Sequence, residues 1–186
     1  MKHWFAFVLA GVAACVFAQT PGVLGDGRTG HSAGRDDRNF QEDEPVLEMK
    51  DVEPPAFPKQ ENLLEFYVSA ATTNNYFIDA STLAPGMDGI VRYVLVVKTS
   101  GGATNVSFEG INCRERSWKH YATGRSDNTW AKSSATRAEW RPIENKPVNR
   151  HHAALNREFF CPDGIPIRTA DEGRNALRSG KHPRSN

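Results

Sequence analysis

Six side chains in the middle of the chain are of types that do chemistry near neutral pH: Asp79, Arg92, Ser107, Glu109, His120 and Tyr121. A hydroxyl, a carboxylate and an imidazole are the parts of a nucleophilic or acid–base site, provided they come within hydrogen-bond reach of one another. Ser107 and Glu109 are two residues apart, so a strand would place them on one face. His120 and Arg92 can reach that face if the strand carrying His120 pairs beside theirs. These spacings make Ser107, Glu109 and His120 the catalytic candidates; the competing reading is a polar sheet face with Arg92 and Glu109 as a structural ion pair. Trp118, Tyr121, Trp130 and Trp140 crowd a short region. Flat rings either fill a core or form a shelf on which a sugar or peptide stacks. Arg92, Tyr121, Trp130 and Trp140 are therefore the binding candidates. The sequence carries no Gly-x-Ser-x-Gly elbow, no His-Glu-x-x-His and no phosphate-cradling Gly-Lys-Ser/Thr loop. It calls for no cofactor.

These residues need a sheet to hold them. Ile90 to Lys98 and Asn105 to Cys113 alternate at period two and are rich in β-branched and aromatic residues, the signature of strands. A two-residue turn centred on Gly101-Gly102 would join them, with Val97 facing Val106 and Leu95 facing Phe108. In that register Ile111 and Cys113 fall on the wrong parity, and a bulge at Gly110 is needed to return them to the core. Further strands are expected at Leu64 to Val68, Tyr76 to Asp79 and Trp118 to Thr123. A loop follows around Trp130, and a short edge strand at Glu139 to Arg141. Pro147 to Phe160 has the stripe Val148, His152, Leu155 and Phe159 of an amphipathic helix. A second helix from Ala170 to Arg178 would be capped by Thr169 and stopped by Gly180. The expected fold is α+β: a mostly antiparallel sheet of five or six strands with one or two C-terminal helices on one face.

The chain has 186 residues, enough for one domain with tails, and its formal charge of +1 gives no field that points to nucleic acid. Residues 1–18 have the basic start and short apolar run of a signal peptide, too short to span a bilayer. Cleavage after Ala18 would give a periplasmic protein starting at Gln19. A lipobox reading of Val12 to Cys15 would instead lipidate Cys15, giving an outer-membrane lipoprotein and the one route to a membrane. Residues 19–60 read as a Gly-rich disordered stretch, then an acidic, Pro-rich linker. The folded domain is expected over residues 61–180, with residues 181–186 a fraying basic tail. Cys113 and Cys161 remain as two cysteines at the ends of elements, and in an oxidising compartment they are expected to pair. A zinc site drawing on His151 and His152 is the alternative, set aside because neighbouring histidines point apart on a helix and the spacing matches no standard site.

Several phrases, taken in order, resemble one family. They are Tyr76-Phe77-Ile78-Asp79, Asp88-Gly89-Ile90-Val91-Arg92-Tyr93, Asn105 to Cys113, Tyr121-Ala122-Thr123-Gly124-Arg125, Thr129-Trp130, Trp140-Arg141-Pro142-Ile143 and Ala154-Leu155 to Phe160-Cys161-Pro162. Over roughly Glu61 to Gly180 the chain resembles the cryptic neisserial protein-like (CNP-one-like) family of exported proteobacterial proteins. The resemblance implies an envelope location and brings no catalytic residues with it. Two function classes follow: a non-catalytic exported module that binds an envelope ligand or partner protein, and a small envelope hydrolase using the Ser107/Glu109/His120 face.

Overall fold

The computed structural model describes residues 47–50, 52–147 and 150–185. Both signal-cleavage readings, the Cys15 lipidation and the Gly-rich stretch lie outside the described residues. The fold is α+β. Its strands are β1 (Leu63–Phe66), β2 (Asn75–Asp79), β3 (Ala84–Pro85), β4 (Ile90–Lys98), β5 (Thr104–Asn112), β6 (Ser117–Gly124), β7 (Trp130–Lys132) and β8 (Arg141–Pro142). They form one antiparallel sheet in the order β1-β2-β4-β5-β6-β7, with β3 pairing β4 and β8 pairing β6. Trp130, expected in a loop, is in a strand because the Asp127–Asn128 turn folds β7 back onto β6; Asn128 takes the left-handed conformation there (φ 62°). No helix among the described residues is long and apolar enough to cross a membrane.

The β4–β5 hairpin differs from the sequence expectation by one residue. Thr99 and Ala103 close the turn with a backbone hydrogen bond of 2.9 Å, so the loop has three residues, and Gly102 takes the left-handed conformation (φ 84°). A side chain there would be strained, so the second glycine decides the loop type. Val97 then lies opposite Asn105, Leu95 opposite Ser107, and Tyr93 opposite Glu109. One residue of slip inverts every face assignment on β5. Ile111 and Cys113 reach the core with Tyr93 and Leu95 directly, and the β4–β5 ladder is unbroken at Gly110. The irregularity sits instead between Phe108 and Glu109 on the β6 side. Arg92 pairs with Gly110 and its side chain goes to the opposite face, so the Arg92–Glu109 ion pair does not form.

Each sheet face carries its own core. The first holds Val91, Tyr93, Leu95 and Ile111 under Leu155, Phe159, Phe160, Ile167 and Leu177. Each such large side chain, taken fully out of water, contributes about 1.5–3 kcal/mol. The covering helix α1 (Arg150–Ala154) widens into π turns over Leu155–Phe160, and Cys161 N–H bonds back to Asn156 O at 3.0 Å. Cys113 and Cys161 are joined by a disulfide with Cα atoms 5.4 Å apart. Helix α2 (Ala170–Arg178) begins as expected, with the Thr169 hydroxyl accepting from Glu172 N–H, and Gly180 ends it at φ 81°. Beyond it the basic tail is docked. His182 is buried, its N–H donating to Glu158 O at 2.7 Å and its Nε2 lying 2.9 Å from Glu172 Oε1.

The second face, built from Val94, Val96, Phe108 and Ala122, is covered by the chain N-terminal to β1. Residues 47–50 and 52–58, within the stretch expected to be a linker, run without helix or strand. They nevertheless lie against this face through Val52 and Phe57. Burial of those two side chains outweighs the acidic, Pro-rich composition, so the packed domain extends N-terminal of the expected boundary at Glu61.

Candidate functional site

Strand β5 and helix α1 meet at one polar point inside the first core. Glu109 points up from β5 and is 4 % exposed; His152 points down from α1 and is 2 % exposed. His152 Nε2 lies 2.8 Å from Glu109 Oε2. The Ser107 hydroxyl donates to Oε1 at 2.7 Å, and the Tyr93 hydroxyl donates to Oε2 at 3.3 Å. Trp118 stacks on the His152 ring with centroids 3.8 Å apart, and Tyr76 stacks on His151 at 5.3 Å. The two histidine rings stand 4.0 Å apart. They converge rather than diverge because each ring is held by an aromatic of the sheet, His152 by Trp118 and His151 by Tyr76. Glu109, His151 and His152 each offer a ligand atom, all within 4.8 Å of one another.

The electrostatics follow from this packing. Burial alone would raise the Glu109 carboxyl, but the adjacent His152 imidazole, then His151 and the Ser107 hydroxyl, outweigh it and hold it down to about 2. Burial and the neighbouring His152 push His151 down to about 4. Burial and the Glu109 charge raise the Tyr93 phenol well above its ordinary value.

Of the three catalytic candidates, Ser107 and Glu109 come together as the shared parity requires. His120 does not join them. It pairs with Glu109 in the β5–β6 ladder, but its Nδ1 bonds the Ser133 hydroxyl and its Nε2 lies 3.2 Å from Thr123 Oγ1. Burial lowers its pKa, with Glu109 opposing and Arg137 and Arg141 adding to the shift. The histidine on Glu109 is His152, which the sequence reading placed at the core without a partner. Asp79 caps its own turn, accepting from Ser81 N–H at 2.9 Å and from its hydroxyl at 2.6 Å.

The binding candidates gather on the other face, where their ligand is the chain itself. Arg92 is held bidentate by Asp88, with Nη2–Oδ2 at 2.6 Å and Nη1–Oδ1 at 3.0 Å, and lies over the Tyr121 ring. Glu48 is the anchor. It accepts from the Tyr121 hydroxyl and from Trp140 Nε1, each at 3.0 Å, and from Lys119 Nζ at 2.9 Å. These donors outweigh the opposing effect of burial and lower its pKa. Trp130 donates from Nε1 to Pro55 O at 2.8 Å and packs against Phe57. The aromatic shelf read from the sequence thus exists, and Glu48, Pro55 and Phe57 occupy it.

The open surface lies elsewhere, beside the β1–β2 connection. Two adjoining clefts of about 610 and 600 Å³ share Val68, Ser69, Thr72, Asn74 and Tyr76 in their walls. Tyr67 lines the first and is 70 % exposed; Arg150 lines the second and donates from Nη1 to the Ser69 hydroxyl at 3.1 Å. In the sequence these residues read only as the ends of two strands, the connection between them and the start of a helix, with no chemical signal.

The model of the CNP1-like family matches residues 41–178. Over 105 residues the chain is 30 % identical to cryptic neisserial protein 1 of Neisseria gonorrhoeae, an alignment covering 50 % of each. The chain thus spans about half the length of the curated relative it matches. No solved structure matches it.

Proposed function

The chain belongs to the CNP1-like family, and from that premise we propose that it is an exported envelope module that binds a polar saccharide-class ligand without transforming it. Export rests on the signal-like residues 1–18, and the Cys113–Cys161 bridge is of the kind that persists in an oxidising compartment. The binding reading is carried by one observation: the paired clefts beside the β1–β2 connection. Their size suits a small ligand. Their walls supply hydroxyls from Ser69 and Thr72, amides from Asn74 and Asn75, guanidinium groups from Arg150 and Arg178 and the exposed ring of Tyr67. Hydroxyls and amides match sugar hydroxyls, and a flat ring stacks on the apolar face of a pyranose. Against this, Ser107 and Glu109 are closed off beneath α1, and His120 is spent on Ser133 and Thr123.

The test is a titration of the mature chain with soluble cell-wall disaccharide fragments, followed by amide chemical shifts. Saturable shifts confined to residues 67–76 and Arg150, lost in Tyr67→Ala, are expected. Shifts that do not saturate, or that map elsewhere, overturn the reading. Intact mass of protein recovered from a bacterial envelope tests export: a start at Gln19 supports a periplasmic protein, and a lipid-bearing Cys15 moves it to the membrane.

A further inference from the structure

We propose that Glu109, His151 and His152 form a binding site for a divalent transition-metal ion of the zinc class. Two imidazole nitrogens and a carboxylate oxygen are a donor set that such ions take, and the three ligand atoms already lie within 4.8 Å of one another. Donors bonded at about 2.0–2.2 Å to a tetrahedral ion stand ~3.4 Å apart. His152 Nε2 and Glu109 Oε2 are 2.8 Å apart, so the pair needs to open by only roughly half an ångström.

Three further features belong to a site rather than to a simple structural clasp. Among the described residues the buried Glu109 carboxylate has no Lys or Arg partner, and a buried charge is costly unless it is compensated. One helix supplies both imidazoles at the same polar point. The ligands are also held from outside. Ser107 fixes the second carboxylate oxygen, Trp118 fixes the His152 ring, and Tyr76 fixes the His151 ring. Such outer partners set ligand orientation in metal sites. His151 is partly exposed, and water would complete the coordination from that side. Cys113 and Cys161, the two cysteines among the described residues, are joined in the disulfide, so the proposed donor set includes neither.

The test uses the mature, disulfide-bonded chain, stripped with chelator and titrated with Zn²⁺ by calorimetry and with Co²⁺ by visible absorption. One ion per chain is expected, with Co²⁺ bands of N/O ligation and a melting temperature that rises with Zn²⁺. His151→Phe keeps the Glu109–His152 contact and an aromatic partner for Tyr76, so it should fold unchanged without metal yet bind at least tenfold more weakly. His120→Ala and His182→Ala should bind like the wild type. Lack of saturable one-to-one uptake, or uptake that His151→Phe leaves unaltered, overturns the proposal.

Discussion

Glu109 shows how much one buried residue can govern. Its carboxyl is held down to about 2 against an ordinary value near 4.5. A depressed carboxyl contributes stability that is fully present above the unfolded value and is lost as pH falls through the folded one. That contribution, roughly 3 kcal/mol, should therefore disappear between about pH 4.5 and 2. His151, held down to about 4, acts higher on the scale: the unfolded chain takes up a proton that the folded chain refuses, so stability falls as pH drops from 6.5 toward 4. Urea unfolding in chelator should show two acid phases, and His151→Phe should shrink the upper one to the part that the depressed His120 contributes. Glu109→Gln should cost about 3 kcal/mol, because it breaks a buried pair and leaves its partners poorly matched. Ser107 and Glu109 were legible as companions, since strand parity is local. The identity of the histidine was not. His120 lies next to Glu109 in the ladder, whereas His152 reaches it through the docking of a helix 43 residues away, which no local pattern encodes.

At the scale of elements, the N-terminal strap and the hairpin show where composition misleads. Residues 47–58 are acidic and Pro-rich, yet Glu48 gathers three donors and Phe57 lies in a slot made by the absence of a side chain. A Cβ at Gly124 would stand 2.8 Å from both Phe57 Cε2 and Val106 Cβ. Gly124→Ala should therefore lift Phe57 from Trp130, read as a shift in tryptophan fluorescence. Glu48→Ala should destabilise the domain by about 1–3 kcal/mol, since charge-assisted bonds exceed neutral ones. It should also speed hydrogen exchange across residues 47–58 far more than in β4. The long strands, the second helix and the Thr169 cap were readable from period and capping chemistry; β3 and β7 were not, being too short to show a period. The hairpin register was not, because Gly101-Gly102 fits a two-residue turn and a three-residue loop equally well. The choice fell to the faces: only the longer loop brings Ile111 and Cys113 to the core without a bulge.

Over the whole molecule, the polar clasp and the disulfide act as two rungs between the same pair of elements. Cys113 follows Glu109 by four residues, just past the end of β5, and Cys161 follows His152 by nine, just past the π turns that end the covering helix. Both contacts join the same two stretches of chain in the same order, so each supports the register that the other needs. The bridge closes a loop of 48 residues, which on chain entropy stabilises the fold by about 4 kcal/mol. Reduction alone should remove about that much, measured by urea unfolding with and without reductant. The two losses should not add independently, because contacts that share a pair of elements couple. With the bridge intact, Glu109→Gln still leaves α1 pinned at its far end. Without the bridge, the same substitution removes the remaining polar registration between α1 and β5, and the combined loss should exceed the sum of the single losses. A double-mutant cycle of Cys113→Ser/Cys161→Ser against Glu109→Gln measures this directly. Strict additivity would mean that the aromatic packing of Trp118, Phe159 and Phe160 sets the helix register without help from either rung.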